Sequence, residues 1–262
     1  MKSFRSVVLL GCVGLAGTSG WSQVVQGGVG AAGPVSVAAA DASAKALAGA
    51  QVKLADWPQL GRYQADNAAL PGAAAGEQRV VFYGDSITDA WGRSPAAGEF
   101  FPGKPYVNRG ISGQTTAQMV VRFEQDVVHL KPAVVVILAG TNDVAGNTGP
   151  MTEGMTEDNF EAMVAIAKGS GIKVVIASIT PASGYPWKLA VKPAEPIKAL
   201  NVGLKALCAR EGLVYLDYYT PMTNAAGGLD TELALDGVHP TAKGYEVMAP
   251  LAEKAIAEAL AK

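Results

Sequence analysis

The chain has 262 residues, 49% of them hydrophobic, and a formal net charge of −2 at pH 7. This length suffices for one domain with a large core and is too short for two large ones. Because the charges nearly balance and no basic patch is present, no nucleic-acid partner is expected. The two cysteines, Cys12 and Cys208, form no cluster of metal ligands, so we expect neither a metal site nor a cofactor.

The first 22 residues have the pattern of a secretory signal peptide. Lys2 and Arg5 supply the positive end, the run 7–16 is apolar, and small residues follow it. This segment is too short for a stable membrane span. We therefore expect a secreted or periplasmic protein. Lipoprotein anchoring at Cys12 is the less favoured alternative, because few apolar residues precede it.

Two further segments precede the first predicted strand. Residues 23–50 are mostly Gly, Ala, Val and Ser, which bury too little surface to offset the entropy of ordering, so a flexible linker is predicted. The domain itself is expected to span 51–262. Near its start, side chains at helical spacing predict a short helix over about 53–68, docked by packing rather than by substrate contact: Leu54, Trp57, Leu60 and Tyr63.

From Arg79 onward, short apolar runs alternate with amphipathic segments. The predicted strands are 79–83, 105–108, 133–139, 172–178 and 213–217. The run at 134–138 is apolar throughout, which is typical of a parallel strand covered on both faces. The alternation predicts an α/β fold in which helices cover both faces of a parallel sheet.

Candidate reactive residues lie where these strands end. Ser86 follows the first strand at a point where a helix can begin, and the free N–H groups there suit a nucleophile whose reaction creates an oxyanion. Asp236 and His239 lie in the loop before the last helix, at a spacing that suits a base and the group that orients it. Since carboxyl ends of parallel strands share one edge, these segments should converge. In isolation, each motif is also a reasonable turn or helix cap.

Four stretches together resemble, in order, the four sequence blocks of the GDSL/SGNH hydrolases: GDS at 84–86, NRGISG at 108–113, GTND at 140–143 and DGVHP at 236–240. The resemblance covers about residues 79–261, although isoleucine follows Gly-Asp-Ser where the founding motif has leucine. It implies a flavodoxin-like, three-layer α/β/α sandwich around a central five-stranded parallel sheet. It also implies a metal-independent serine esterase that uses Ser86, His239 and Asp236.

The resemblance further assigns supporting roles. It implies that the backbone N–H groups of Ser86 and Gly110 and the side-chain amide of Asn142 bind the oxyanion. Among neighbouring residues, we expect some to hold the loops of the site: Asp85, Thr88 and Asp143. Two others follow the nucleophile closely and are expected to border an acyl pocket: Asp89 and Trp91.

The favoured function is hydrolysis of carboxylic esters through an acyl-enzyme on Ser86. The expected partner is a small-molecule or glycan ester, with O-acetyl or other short-chain esters of carbohydrates preferred. A lysophospholipase- or thioesterase-like activity is the alternative, as is acyl transfer to a sugar alcohol. A non-catalytic glycan-binding module on the same fold is the alternative from another class. The loop Ala182–Pro193, with Tyr185, Trp187 and Lys188, is the predicted lid. The sequence favours no oligomeric state.

Overall fold

The computed structural model of the protein describes residues 37–262. The predicted signal peptide, Cys12 and residues 23–36 of the predicted linker lie outside these residues. One compact unit spans Gly49–Lys262 and contains every residue that the sequence marks as a site candidate. None of the helices within 37–262 combines the length and the apolar character needed to cross a membrane.

Five parallel strands form the central sheet: β1 (Val80–Gly84), β2 (Tyr106–Gly110), β3 (Val134–Leu138), β4 (Lys173–Ala177) and β5 (Val214–Leu216). Their order across the sheet is β2-β1-β3-β4-β5. The predicted five-stranded parallel sheet is therefore confirmed, with strand ends within two residues of the predicted ones. Gly84 pairs with Gly110 on one side and with Leu138 on the other, so the first three strands end level at one edge.

Helices cover both faces of this sheet, which confirms the three-layer α/β/α fold. The helices of the described residues are α1 (Val37–Ala55), α2 (Gln64–Ala69), α3 (Ser86–Ala90), α4 (Thr116–Asp126), α5 (Thr141–Val144), α6 (Glu153–Gly169), α7 (Ala194–Glu211), α8 (Tyr219–Met222) and α9 (Ala242–Ala261), and those that cover the sheet include α4, α6, α7 and α9. Val81 and Tyr83 of β1 join the buried cluster of α4, α6 and α7, whereas Val80 and Phe82 join the cluster of α9. Each such side chain contributes about 1.5–3 kcal/mol when fully buried.

The N-terminal segment differs from its prediction in two ways. The described part of the predicted linker is helical, because α1 already begins at Val37. The segment is rich in alanine, which has the strongest intrinsic helix preference, and this preference favours the helix although residues 41–50 are all exposed. The predicted helix over 53–68 is also wrong as a single element, since α1 ends at Ala55 and α2 begins at Gln64. Pro58 explains the break, because proline lacks the N–H that a helix interior requires.

Of the four side chains assigned to that docking helix, only one is buried. Tyr63 is inaccessible to solvent, whereas Leu54, Trp57 and Leu60 are 77%, 40% and 38% exposed. The packing role predicted for all four therefore holds for Tyr63 alone. Cys208, by contrast, is buried in α7 as the small hydrophobic residue that its position predicts.

Candidate active site

Ser86 is the first residue of α3 and follows β1 after a single intervening residue. The turn between them is tight. A Cβ on Gly84 would lie 2.2 Å from Oγ1 of Thr88 and 2.5 Å from the carbonyl oxygen of Leu138, so only glycine fits there. The Asp85 side chain caps α3 by accepting the backbone N–H of Ile87 at 3.0 Å. These contacts hold the serine at the carboxyl edge of the sheet.

The structure brings Ser86, His239 and Asp236 together. Oγ of Ser86 lies 2.9 Å from Nε2 of His239, and Nδ1 of the same imidazole lies 2.8 Å from Oδ2 of Asp236. Because the carboxylate only accepts hydrogen bonds, Nδ1 carries the proton and Nε2 is left to accept the serine hydroxyl. This is the arrangement that activates a serine nucleophile.

The loop of Asp236 fixes the histidine in place. Oδ1 of Asp236 accepts the backbone N–H groups of Val238 and His239 at 3.0 and 2.9 Å, and Gly237 supplies the positive φ of the turn. Partial burial alone would raise the pKa of the Asp236 carboxyl. The hydrogen bonds from the backbone and imidazole of His239 outweigh it, and the pKa is lowered. The Asp236 carboxyl is therefore ionised when it contacts a protonated imidazole of His239.

Gly110 does not have the free donor that was predicted for it. Its backbone N–H donates to Oδ1 of Asn108 at 2.9 Å, and its carbonyl accepts the hydroxyl of Tyr63. A Cβ on Gly110 would lie 2.1 Å from the backbone nitrogen of Asp89. The glycine is therefore required for the close approach of β2 to α3, and the prediction of an oxyanion donor at Gly110 is wrong.

Gly113, three residues later, has the properties that Gly110 lacks. It is exposed, its φ is +80°, and its N–H has no acceptor among residues 37–262. The carbonyl of the next residue, Gln114, accepts Nδ2 of Asn142 at 2.9 Å. The motif NRGISG contains two glycines. The first ends a strand, and the second lies in the following turn, where a backbone N–H is not used by the sheet.

Asn142 lies in α5, directly after β3, where the sequence predicts it. Its Oδ1 accepts Nδ2 of Asn147 at 2.7 Å, while its own Nδ2 donates one hydrogen to the carbonyl of Gln114. The second amide hydrogen has no acceptor within the described part of the chain. Asn147 thus fixes which end of the Asn142 amide is the donor. It is a residue that the sequence analysis does not identify.

Asp89 supports the loop after β2. Its Oδ2 accepts both the backbone N–H and the hydroxyl of Ser112, at 3.1 and 2.7 Å. Its Oδ1 accepts a hydrogen bond from Nη1 of Arg93 at 2.6 Å.

Trp91 is only 3% exposed and packs in an aromatic cluster with Phe82, Phe100, Phe101, Tyr106 and Tyr245. The prediction that Trp91 borders an acyl pocket is therefore wrong, because this side chain belongs to the core.

Three polar residues beside the reacting groups are buried: Asp85, Thr88 and Asp143. Thr88 packs over Gly84 and offers its carbonyl to Nδ2 of Asn108 at 2.6 Å. Asp143 accepts the backbone N–H and hydroxyl of Thr116, which ties α5 to the start of α4. Burial raises the pKa of Asp143 despite these bonds. Burial also raises the pKa of Asp85 to about 7, against the opposing effects of its hydrogen bond from the Ile87 N–H and of the nearby His239.

The buried Arg122 is the largest element of the site that sequence analysis misses. Its guanidinium donates to the carbonyls of Gly84 and Arg109 at 3.0 and 2.9 Å, to Oε1 of Gln114 at 2.6 Å and to Oδ2 of Asp126 at 3.1 Å. It thereby joins the ends of β1 and β2 to the loop that follows. A charged residue on the apolar stripe of α4 is the signal that points to it.

The predicted lid brings two aromatic rings to the site. The Trp187 ring lies 6.0 Å from the imidazole of His239, centroid to centroid, and stacks on Tyr185 at 5.1 Å. The indole N–H of Trp187 donates to Oδ1 of Asn147 at 3.2 Å. The loop therefore contacts the imidazole directly and Asn142 through Asn147. Among residues 37–262, no group of three His, Cys, Asp or Glu side chains is placed to hold a metal ion.

A parallel α/β sheet that carries hydrogen-bonded Ser, His and Asp at its carboxyl edge is the construction of a serine hydrolase. The model of the GDSL-like Lipase/Acylhydrolase family matches residues 82–247. The chain belongs to this family and is a carboxylic ester hydrolase.

Known relatives and structures agree with this family. The crystal structure of a GDSL-like lipase from Bacteroides thetaiotaomicron superposes with a TM-score of 0.73 at 42% identity, over 77% of this chain and 98% of the other. Human platelet-activating factor acetylhydrolase IB subunit alpha2 is 26% identical over 181 residues, 68% of this chain and 76% of that protein. Acetylxylan esterase from Geobacillus stearothermophilus is 36% identical over 89 residues, 26% of this chain and 40% of that protein.

Proposed function

We propose that Ser86 is the nucleophile of a two-step ester hydrolysis, with His239 as the base and Asp236 as its orienting group. Oγ of Ser86 forms a bond to the ester carbonyl carbon as its proton moves to Nε2 of His239. The C–O bond to the alcohol then breaks, and the imidazolium returns the proton to the leaving oxygen. Water, deprotonated by His239, then attacks the acyl carbon, the bond from that carbon to Oγ of Ser86 breaks, and the imidazolium returns the proton to Oγ as the acid leaves. The observation that carries this proposal is the pair of short contacts that join the three side chains.

The negative charge on the carbonyl oxygen needs donors that are free before the substrate arrives. We assign this role to the backbone N–H groups of Ser86 and Gly113 and to the second amide hydrogen of Asn142. None of the three has an acceptor among residues 37–262. Each such donor is typically worth about 10²–10³ in kcat.

Short acyl groups, and acetyl in particular, are the proposed substrates. The Trp187 ring, 6.0 Å from the imidazole of His239, limits the room for a long chain on that side of the reacting residues. The human and Geobacillus relatives above are named for acetyl esters, one of platelet-activating factor and one of xylan. We favour O-acetylated carbohydrates. A lysophospholipase-like activity is the second candidate, on the strength of the first of those relatives.

Export is part of the same proposal. It rests on the charged start, the apolar run and the small residues within positions 1–22. Fractionation of a producing cell into cytoplasm, membrane, periplasm and medium, with intact-mass measurement of the protein in the fraction that holds it, tests the proposal. A mass that corresponds to loss of about 22 residues supports cleavage. A diacylated mass starting at Cys12 indicates lipoprotein anchoring, and retention of Met1–Lys2 contradicts export.

The reaction is tested with p-nitrophenyl acetate, butyrate and octanoate, each with and without EDTA. Wild type should hydrolyse acetate fastest and should be unaffected by EDTA, and Ser86→Ala should lose at least about 10⁴-fold in kcat/KM. Ser170→Ala, at the end of α6 and far along the chain from every site residue, is the matched control. Equal rates for wild type and Ser86→Ala would favour the glycan-binding module. A preference for octanoate would favour the lysophospholipase-like alternative.

A further inference from the structure

An open groove of about 760 Å³ lies beside the proposed oxyanion donors. One wall comes from the segment before β1, which lies outside residues 82–247, the stretch that the family model matches. The opposite wall comes from the loops after β2 and α5. The residues that the argument uses are Trp57, Gln59 and Arg62 on the first wall and Ser112, Gly113 and Asn147 on the second.

The inner end of the groove is joined to the reacting residues. Ser112 is held by Asp89 of α3, the helix that begins at Ser86. Asn147 is bonded to Asn142 on one side and to the indole of Trp187 on the other. The groove therefore begins at Gly113, one of the proposed donors, and has space for the remaining part of a substrate whose carbonyl is bound there.

The first wall, which the N-terminal segment forms, is held in position by hydrogen bonds before any ligand binds. Three glutamine amides donate to backbone carbonyls of the N-terminal segment: Gln118 to Trp57 at 2.6 Å, Gln114 to Pro58 at 2.7 Å and Gln125 to Leu60 at 2.7 Å. The carboxylate of Asp56 also accepts the N–H groups of Leu60 and Gly61. Such preorganisation lowers the entropy cost of binding.

The exposed groups of the groove match the chemistry of a sugar. Trp57 is 40% exposed, and its indole N–H has no acceptor within 37–262. A pyranose ring has an apolar C–H face that packs on an indole, while its hydroxyl groups need donors and acceptors at the edge. Gln59, Arg62 and Ser112 supply such groups around the ring.

We propose that this groove is a subsite for the glycan portion of the ester, with Trp57 as its stacking platform. The proposal rests on the esterase function above and adds the part of the substrate that the N-terminal segment binds. The occupant is a chain of sugar rings that carries the scissile O-acetyl group. An acyl chain would instead require a closed apolar channel, and this groove is open and edged by polar side chains.

The test compares substrates of increasing length. O-acetylated xylose, xylobiose and xylotriose, and the matching glucose series, are assayed beside p-nitrophenyl acetate, which carries no sugar. In wild type, kcat/KM should rise about tenfold from one to three rings in at least one series. In Trp57→Ala, the ratio of trisaccharide to p-nitrophenyl acetate kcat/KM should fall about tenfold, and Trp57→Phe should restore most of it. Leu54→Ala, an exposed apolar residue of the same segment outside the groove lining, is the matched control.

Three results would overturn the subsite. One is wild-type activity that does not increase with glycan length in either series. The other is an equal loss on both kinds of substrate in Trp57→Ala, which would make Trp57 a purely structural residue. The third is a greater loss of kcat/KM in Trp57→Ala on lysophosphatidylcholine vesicles than on the acetylated glycans. Failure of the esterase proposal is distinguishable, because Ser86→Ala would then retain hydrolysis of p-nitrophenyl acetate.

Discussion

Asp236 and His239 lie on a partly exposed loop whose hydrogen bonds are mostly its own, whereas the loop after β2 is anchored from below by Arg122, which solvent does not reach. The side chain of Asp236 is 38% exposed, and those of Arg122 and Asp126 are 0% exposed. The difference separates two ways of building an active site. On the exposed side, chemistry can be altered with little effect on folding. On the buried side, the oxyanion donors and the stability of the domain depend on the same network.

The largest effect is expected on the exposed side. Asp236→Asn should lower kcat by about 10⁴-fold, because an amide favours the wrong imidazole tautomer and stabilises the imidazolium less. The thermal midpoint should change by no more than a degree or two. Steady-state kinetics and calorimetry check this, with Asp158→Asn on the exposed face of α6 as the control. A large fall in the midpoint would show that the exposed loop also supports the fold.

On the buried side, Arg122→Met should destabilise the domain by about 3–5 kcal/mol, because it leaves Asp126 buried without its partner. Urea unfolding measures the change. Arg210→Met is the matched control, since the ion pair of Arg210 with Glu161 is exposed and should matter little. Similar unfolding midpoints for the two variants would show that the buried ion pair stabilises the domain no more than the exposed one.

Asp85, on the buried side of the site, shows how burial of a carboxyl makes the stability of the domain depend on pH. A carboxyl whose pKa rises from 3.8 to about 7 on folding takes up a proton in that interval, so its contribution to stability is lost as pH rises through it. The full loss corresponds to about 4 kcal/mol. Asp85→Asn keeps an acceptor for Ile87 and removes the charge, so the variant should gain on wild type between pH 4 and pH 8 in urea unfolding. A stability difference that does not vary with pH would refute the assignment.

A smaller effect is expected where the two sides meet. Asn142→Ala should lower kcat by about 10²–10³ and leave KM nearly unchanged, because the lost hydrogen bond forms mainly in the transition state. A rise in KM with constant kcat would instead place Asn142 in ground-state binding. The comparison needs only initial rates on p-nitrophenyl acetate.

Substitutions of Asn147 should produce the smallest of these changes in kcat. Asn147→Ala frees the Asn142 amide and should cost about tenfold in kcat. Asn147→Asp places an oxygen against Oδ1 of Asn142 and should cost more, because the amide must turn over to avoid the repulsion. If the aspartate variant is the more active of the two, Asn147 does not set the orientation of Asn142.

The sequence predicts the sheet and the Ser–His–Asp contacts well for physical reasons. The strands are apolar throughout, and parallel pairing brings their ends to one edge, so distant motifs must converge there. Gly110 was misassigned because the use of its N–H depends on the side chain of Asn108, which the sequence pattern does not reveal. Trp91 was misassigned because its partners, such as Phe82 and Tyr245, come from separate elements. The role of Arg122 is not visible in the sequence, because its four acceptors belong to four separate residues spread over 84–126.

The glutamine amides that hold the N-terminal segment have a consequence for evolution. Gln114, Gln118 and Gln125 all donate to backbone carbonyls, and every amino acid has one. These three hydrogen bonds therefore do not depend on which side chains the segment carries. Substitutions at Trp57 or Gln59 can accumulate without releasing the segment from α4. New substrate preferences can thus arise at this wall while the inherited reaction centre stays unaltered.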